Sequence, residues 1–359
     1  MYARIAFSLL VWALLPPAQA QQPTAPWPFA VSGDSRNCGD IVMPAIAHGV
    51  HNDAARFYLH LGDFRAIYEF DEDVLAQSKY RATPPTIYEY ESVAWNDFIA
   101  HQLVPFGETP VYLAMGNHEA ISPKTREQWL IQFADWLEKP VLREQRLADN
   151  PTDHLLHSYY HWTEGVVDFI VLDNATPDQF SGEQMAWLRG VIARDAKNDA
   201  VRSIVVGMHE ALPASKSESH AMDDSAQGVK SGGEVYDLLL QLRDQSHKNV
   251  YVLASHAHYF LEGAFETDAL RAKGKPLPGW IVGTAGAVRY PLPSNAVPGP
   301  HAQTHVYGYL LGTVQQDGTI QFDFKKLAKA DLAAANTDYA ADAINNCFDN
   351  NPPAVPLPK

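Results

Sequence analysis

Positive charge, cysteine and long apolar runs are what this sequence has least of. Its 359 residues carry 27 Lys and Arg against 42 Asp and Glu, a formal net charge of -15. That balance excludes a nonspecific nucleic-acid partner or an anionic-membrane binder, because such surfaces need clustered Lys and Arg. It also means that a concave site for an anionic substrate has to draw on local cations, metal ions among them. Beyond residue 20 no segment is long and apolar enough to span a bilayer. There is no low-complexity tract, no internal repeat, and no linker rich enough in Gly, Ser or Pro to divide the chain. A single large α/β domain over residues 21–330, followed by a C-terminal tail over 331–359, is therefore expected.

The N-terminus has Arg4, an apolar run over residues 5–15, then Pro16-Pro17 and Ala18-Gln19-Ala20. A short positive region, a short apolar region and an Ala-x-Ala site make residues 1–20 a secretory signal peptide. The mature chain is expected to be secreted or periplasmic and to have no membrane association once the signal is removed. In an oxidising compartment Cys38 and Cys347 could form one bridge, tying the tail to the loop after the first strand. Two free thiols are the alternative.

What the sequence does have is a set of short apolar runs that stop in polar side chains. Residues 29–32 end at Gly33-Asp34, residues 56–61 at Gly62-Asp63, and residues 112–115 at Gly116-Asn117-His118-Glu119. Residues 202–206 lead to Gly207-Met208-His209-Glu210, and residues 249–254 to Ser255-His256-Ala257-His258. Runs of this length read as buried strands, and α/β sheets place their sites at the carboxyl ends of strands. Brought to one edge, these ends gather carboxylates, an amide and imidazoles, a donor set suited to zinc, iron or manganese and too rich in nitrogen for calcium.

Between the runs, residues 88–104 read as a helix. A second helix is expected with Ser122 as cap and Pro123 in its first turn, burying Trp129, Leu130, Phe133, Trp136 and Leu137. Residues 138–157 show no period and read as an excursion. Residues 159–162 and 166–172 read as a hairpin, and Ser181 to Gln184 as a capping box before a helix on Trp187, Leu188, Val191 and Ile192. A polar loop over 212–233 is expected to end at a cap formed by Ser231-Gly232-Gly233-Glu234, opening a helix on Val235, Leu238, Leu239 and Leu242. Residues 280–283 form another strand. After a Pro-rich loop over 291–300, strands over 306–314 and 319–324 turn at Asp317-Gly318.

The order Gly33-Asp34, Gly62-Asp63, Gly116-Asn117-His118-Glu119, His209, His256-Ala257-His258 resembles the calcineurin-like metallophosphoesterase superfamily, which includes purple acid phosphatases and phosphodiesterases. The resemblance covers residues 29 to about 260. It implies a four-layer α-β-β-α sandwich, two mixed sheets flanked by helices, with one or two Zn, Fe or Mn ions at the strand ends. It implies Asp63 as a carboxylate bridging two ions, Asn117, His209 and His256 completing one metal site, and Asp34 and His258 serving the other. His118 would give the leaving oxygen its proton or hold phosphate, and Glu119 would orient His118. The substrate would be a small or medium phosphorylated molecule whose charge the ions neutralise while activating water.

One position departs from the pattern. The family commonly has Asp-x-His at the first motif, and this chain has Asp34-Ser35-Arg36. Arginine stays protonated and cannot ligate as imidazole does. Another group fills the gap, or that ion binds weakly, or Arg36 grips phosphate, or Arg36 merely pairs with an acid such as Asp40. Ala66 stands where purple acid phosphatases have a ligating tyrosine, and Ser255 replaces the usual Gly before His-x-His. A phosphate mono- or diesterase is the expectation. A relative that binds metal or phosphorylated ligand without turnover is the alternative, and a zinc amide hydrolase lacks its His-Glu-x-x-His helix.

Overall fold

The structure is a computed structural model and describes residues 25–350 except 82, 176–178, 218, 337 and 338. The signal peptide expected over residues 1–20 lies outside the described residues. Twelve strands are present among the described residues. They are β1 (Trp27–Ser32), β2 (Tyr58–His60), β3 (Val111–Leu113), β4 (Tyr160–Glu164), β5 (Val167–Val171) and β6 (Ser203–Gly207). The remaining six are β7 (Asn249–Ala254), β8 (Phe260–Glu262), β9 (Gly279–Val282), β10 (Ala302–Gln303), β11 (Gly308–Val314) and β12 (Ile320–Lys326).

They form two sheets, ordered β12-β11-β1-β2-β3 and β10-β8-β9-β7-β6-β5-β4. Both are mixed. β1, β2 and β3 run parallel while β11 is antiparallel to β1. β5, β6, β7 and β9 are parallel, with β4 and β8 antiparallel at their flanks.

Side chains alternate across each strand, and that alternation builds the layers. Phe29, Val31, Leu59, Phe169, Val171, Val205 and Leu253 fill the space between the sheets, where Phe29, Phe57 and Phe169 make stacked and edge contacts. The neighbouring positions face outward: Ala30, Tyr58 and Leu113 pack under the helix Gly39–Asn52 and the helix Ile87–Phe98. Ile170, Ile204, Val206 and Val252 pack under the helices Gly182–Asp195 and Ala226–Ser246. The result is the four-layer sandwich that the resemblance implies. No helix among the described residues is long and apolar enough to cross a membrane.

Three local expectations are corrected. The helix expected to begin at Ser122 starts at Arg126, because Thr125 and Gln128 form a reciprocal capping box, while Ser122-Pro123 is a cis peptide in the preceding turn. Residues 140–149 of the supposed excursion are a helix, with Pro140 in its first turn and Leu142 buried. The helix expected after Ser231 begins instead at Ala226, capped by Ser225, and runs through Gly232. Gly232 is there for packing: a Cβ would collide with Pro213, so the loop can cross the helix only where no side chain stands. Cys38 and Cys347 are disulfide-bonded, which ties the tail to the start of the helix Gly39–Asn52.

On the β4–β5 hairpin, buried His161 lies between two carboxylates, with Nδ1 2.8 Å from Asp168 and Nε2 2.7 Å from Asp149. Burial lowers its proton affinity, but the two carboxylates prevail and lift His161 to about 9. Burial and the Asp168 carboxylate lift Asp195 to about 8. Both folded values exceed the ordinary ones, so the protonated forms stabilise the fold. For His161 this contribution, on the order of 3 kcal/mol, is complete below pH 6.5 and lost as pH rises through 9. The melting temperature is expected to fall between pH 6.5 and 9, and His161→Gln is expected to flatten that slope; equal slopes in the two proteins would contradict the assignment.

Candidate metal centre

Five chain segments meet at the carboxyl ends of β1, β2, β3, β6 and β7. Backbone bonds lash them together: Asp34 N–H donates to Gly62 O and Gly33 N–H to Val282 O, each 3.0 Å, and Ser255 N–H donates to His209 O at 2.8 Å. The sharp turns use left-handed backbone. Asp34, Asp63 and His256 have φ of 60°, 59° and 64°, a region unfavourable for residues other than glycine. Strain of about 1–3 kcal/mol per residue is retained where it aims functional side chains.

Four of the predicted ligands converge on one point. His209 Nε2 is 3.0 Å from Asn117 Oδ1, 3.0 Å from His256 Nδ1 and 3.3 Å from Asp63 Oδ1. His209 Nδ1 faces Leu61 O at 2.9 Å and carries a proton there, which leaves Nε2 as the ring atom turned to the cluster. Burial, reinforced by His209, holds His256 well below the usual range and therefore neutral. Four polar atoms, each able to present a lone pair, crowd one point. A bound cation reconciles them all, and Asp63, His209 and His256 have the mutual spacing of metal ligands.

A second convergence lies beside the first. His258 Nδ1 donates to Val288 O at 2.5 Å, which turns Nε2 toward Asp34 Oδ1, 3.2 Å away. Asp34 is fully buried, yet no hydrogen bond reaches that oxygen. Burial raises the Asp34 carboxyl, and His258, His209 and Ser255 more than offset it, holding the group below the ordinary carboxylate range. The other oxygen, Oδ2, takes the Ser255 hydroxyl and the His256 N–H. Ser255 is thus more than a turn variant, since it fixes which way Asp34 faces.

His118 sits at the rim of the same cup, with Nε2 3.7 Å from Asp63 Oδ2 and Nδ1 2.7 Å from Ala66 O. Burial, opposed by Asp63 and helped by Arg36, pulls it down to about 4. The expected role of Glu119 in orienting His118 is corrected. Its carboxylate accepts from the backbone N–H groups of Asp63, Phe64 and Gly116, so it clamps the β2 and β3 loops together while Ala66 O orients the imidazole. Burial, then the Asp63 charge, raise Glu119 to about 8.

Arg36 does not pair with Asp40, which faces the buried Arg65 at 2.5 Å. Arg36 is itself buried, and Nη2 donates to Tyr290 Oη at 3.3 Å. Burial disfavours its charge, but Asp63, Tyr290, Tyr68 and Asp34 raise its proton affinity above the ordinary value. Three residues of the rim escaped sequence reading. Tyr290 stacks on His258 and on His220 at 3.9 Å and 4.7 Å, and Tyr68 lies 5.3 Å from the His118 ring. Neither periodicity nor a motif marks them, since all three come from loops.

Asp40, Asp97 and His101 form another group with metal-ligand spacing, sharing no residue with the first. There the Arg65 guanidinium already supplies the cation, contacting Asp40 and Asp97 at 2.5 Å each.

No protein-family model matches the chain, and no curated protein matches its sequence. Solved structures that resemble it include the purple acid phosphatase PPD1 of yellow lupin (Lupinus luteus), at 14% identity and a TM-score of 0.48 over 89% of this chain and 57% of that one. PhoD matches at 15% identity and 0.46, over 85% of this chain and 72% of its own. A dimetal phosphatase from Danio rerio matches at 12% identity and 0.48, over 80% and 93%. The chain thus spans little more than half the length of the lupin protein. It is structurally similar to these phosphatases, and the chemistry of its site rests on its own residues.

Proposed function

We propose that the protein is an exported metal-dependent phosphoesterase that hydrolyses phosphate mono- or diesters of small or medium phosphorylated molecules. The observation that carries this reading is the meeting of Asp63, Asn117, His209 and His256 around one point, with His118 and the charged Arg36 on the same cup. Asp63, Asn117, His209 and His256 would hold one ion, and Asp34 and His258 present two further donors beside it. A bound zinc, iron or manganese ion supplies Lewis acidity and activates water.

The chain's own residues account for the rest. Leu61 O and Val288 O fix the tautomers of His209 and His258, so their Nε2 atoms stay available as donors to metal. In hydrolysis a water oxygen bonds to phosphorus, the ester P–O bond breaks, and the departing oxygen takes a proton. His118 Nε2 faces the cup and is the atom positioned to give it; a phosphate anion beside the ring favours its protonated form. Export is supported by the N-terminal signal pattern and agrees with the Cys38–Cys347 bridge.

The test uses leaving groups of different basicity. His118→Ala is expected to lower turnover of an alkyl phosphate by about 10²–10⁴ and that of a nitrophenyl phosphate far less, because nitrophenolate leaves without a proton. Stoichiometric metal with no turnover of any ester, in both wild type and variant, would favour a protein that binds without hydrolysing.

A further inference from the structure

The two halves of the centre are unequal. At the first position four donors converge, His209 among them, whereas the second position has only Asp34 Oδ1 and His258 Nε2. Asp34 can offer it only one oxygen, because Ser255 and the His256 N–H occupy the other. The residue two places after Asp34, where an imidazole would complete the set, is Arg36.

The placement of Arg36 is specific. It is 8% exposed, and its Nε is buried with no hydrogen-bond partner. Among the described residues no ion pair within 4.0 Å joins it to Asp63 or Asp34. The guanidinium therefore stands off from the carboxylates with donors unspent. Its position is held by Tyr290, whose ring is sandwiched between His258 and His220. A buried guanidinium with unspent donors, facing a cation-binding cup, suits an anion whose oxygens can bridge the two. A second divalent ion in the same space would meet a fixed positive charge and an incomplete ligand set.

We propose that Arg36 replaces the second metal ion as the phosphate-binding cation, giving a centre of one ion and one guanidinium selective for phosphate monoesters over diesters. The proposal rests on the phosphoesterase reading. A monoester dianion has three non-bridging oxygens, enough to give two to the arginine fork and one to the ion. A diester has two, carries one charge, and places its second substituent where Arg36 and Tyr290 stand. The fork then cannot close on it. Hydrolysis balances as before: water oxygen joins phosphorus, the ester oxygen leaves with a proton, and Arg36 exchanges none.

The test is run on the full mature chain loaded with manganese and dialysed. One manganese per chain, with the paramagnetic resonance of an isolated ion, is expected for wild type, and two spin-coupled ions for Arg36→His. Wild type is expected to prefer 4-nitrophenyl phosphate over bis(4-nitrophenyl) phosphate in kcat/KM. Arg36→Ala should lower the monoester value by about 100-fold and the diester value by only a few-fold, with Arg36→Lys between them because it keeps charge but not the fork. Two coupled ions in wild type, or a monoester-to-diester ratio unmoved by Arg36→Ala, overturns the proposal while leaving the phosphoesterase reading intact. Failure of metal-loaded wild type on both esters overturns that reading, and the manganese count, which needs no variant and no turnover, still decides the one-ion centre.

Discussion

Arg65→Met is expected to destabilise the protein by about 3–5 kcal/mol at neutral pH, enough to leave little folded material. Arg65 is fully buried and sits among four carboxylates: Asp40 and Asp97 at 2.5 Å each, Asp73 at 3.0 Å and Asp71 at 3.8 Å. Removing the one guanidinium leaves those charges facing one another out of water. Burial already raises the Asp71 and Asp73 carboxyls, so protonation is the escape open to the variant. Its deficit in urea unfolding should therefore shrink as pH falls toward about 5, because groups whose folded proton affinity is raised stabilise the fold when protonated. A variant that unfolds at the wild-type urea midpoint at pH 7 would show that the cluster is neutralised by something else. The effect bears on function because Arg65 anchors the loop that carries Asp63 at one end and Tyr68 at the other.

The second large effect is at Asp63. Asp63→Asn is expected to abolish metal retention and lower turnover of a nitrophenyl phosphate by at least about 10³-fold, equivalent to ~4 kcal/mol of transition-state stabilisation. Asp63 is the carboxylate of the first convergence, 3.3 Å from His209, and it also lies 3.7 Å from His118. The fold should survive, since Glu119 holds the Asp63 and Phe64 N–H groups and the substitution keeps shape. Circular dichroism and the melting temperature separate loss of metal from loss of structure. Full metal retention by the folded variant would remove Asp63 from the centre.

Much of this architecture was legible because each site strand ends an apolar run abruptly. The eye follows Leu59 to Gly62-Asp63, or Val206 to His209, and β-sheet physics supplies the common edge. The hairpins β4–β5 and β11–β12 were legible for the same local reason. What failed was local signal with a stronger competitor nearby: Ser122-Pro123 looks like a helix start, but Thr125 and Gln128 satisfy each other's backbone groups and Ser122 does not. Gly232-Gly233 looks like a break, but the helix passes through because Pro213 needs the space. The role of Glu119 was hidden because a carboxylate beside a histidine in sequence turns its side chain toward another loop. Tyr68, His220 and Tyr290 reach the site only through tertiary placement, and no spacing records that. The Arg65 cluster draws on residues 40, 71, 73 and 97, each an ordinary polar residue until the fold brings them together.

A metal ion held by Asp63, Asn117, His209 and His256 is central to the proposed hydrolysis. The direct measurement is the metal content of purified mature protein, taken beside its nitrophenyl phosphate turnover before and after chelation and after manganese, zinc or iron is restored. At least one equivalent of transition metal per chain is predicted, with turnover lost on removal and regained on restoration. Turnover that persists in metal-free protein, or a protein that retains no added metal, would contradict it.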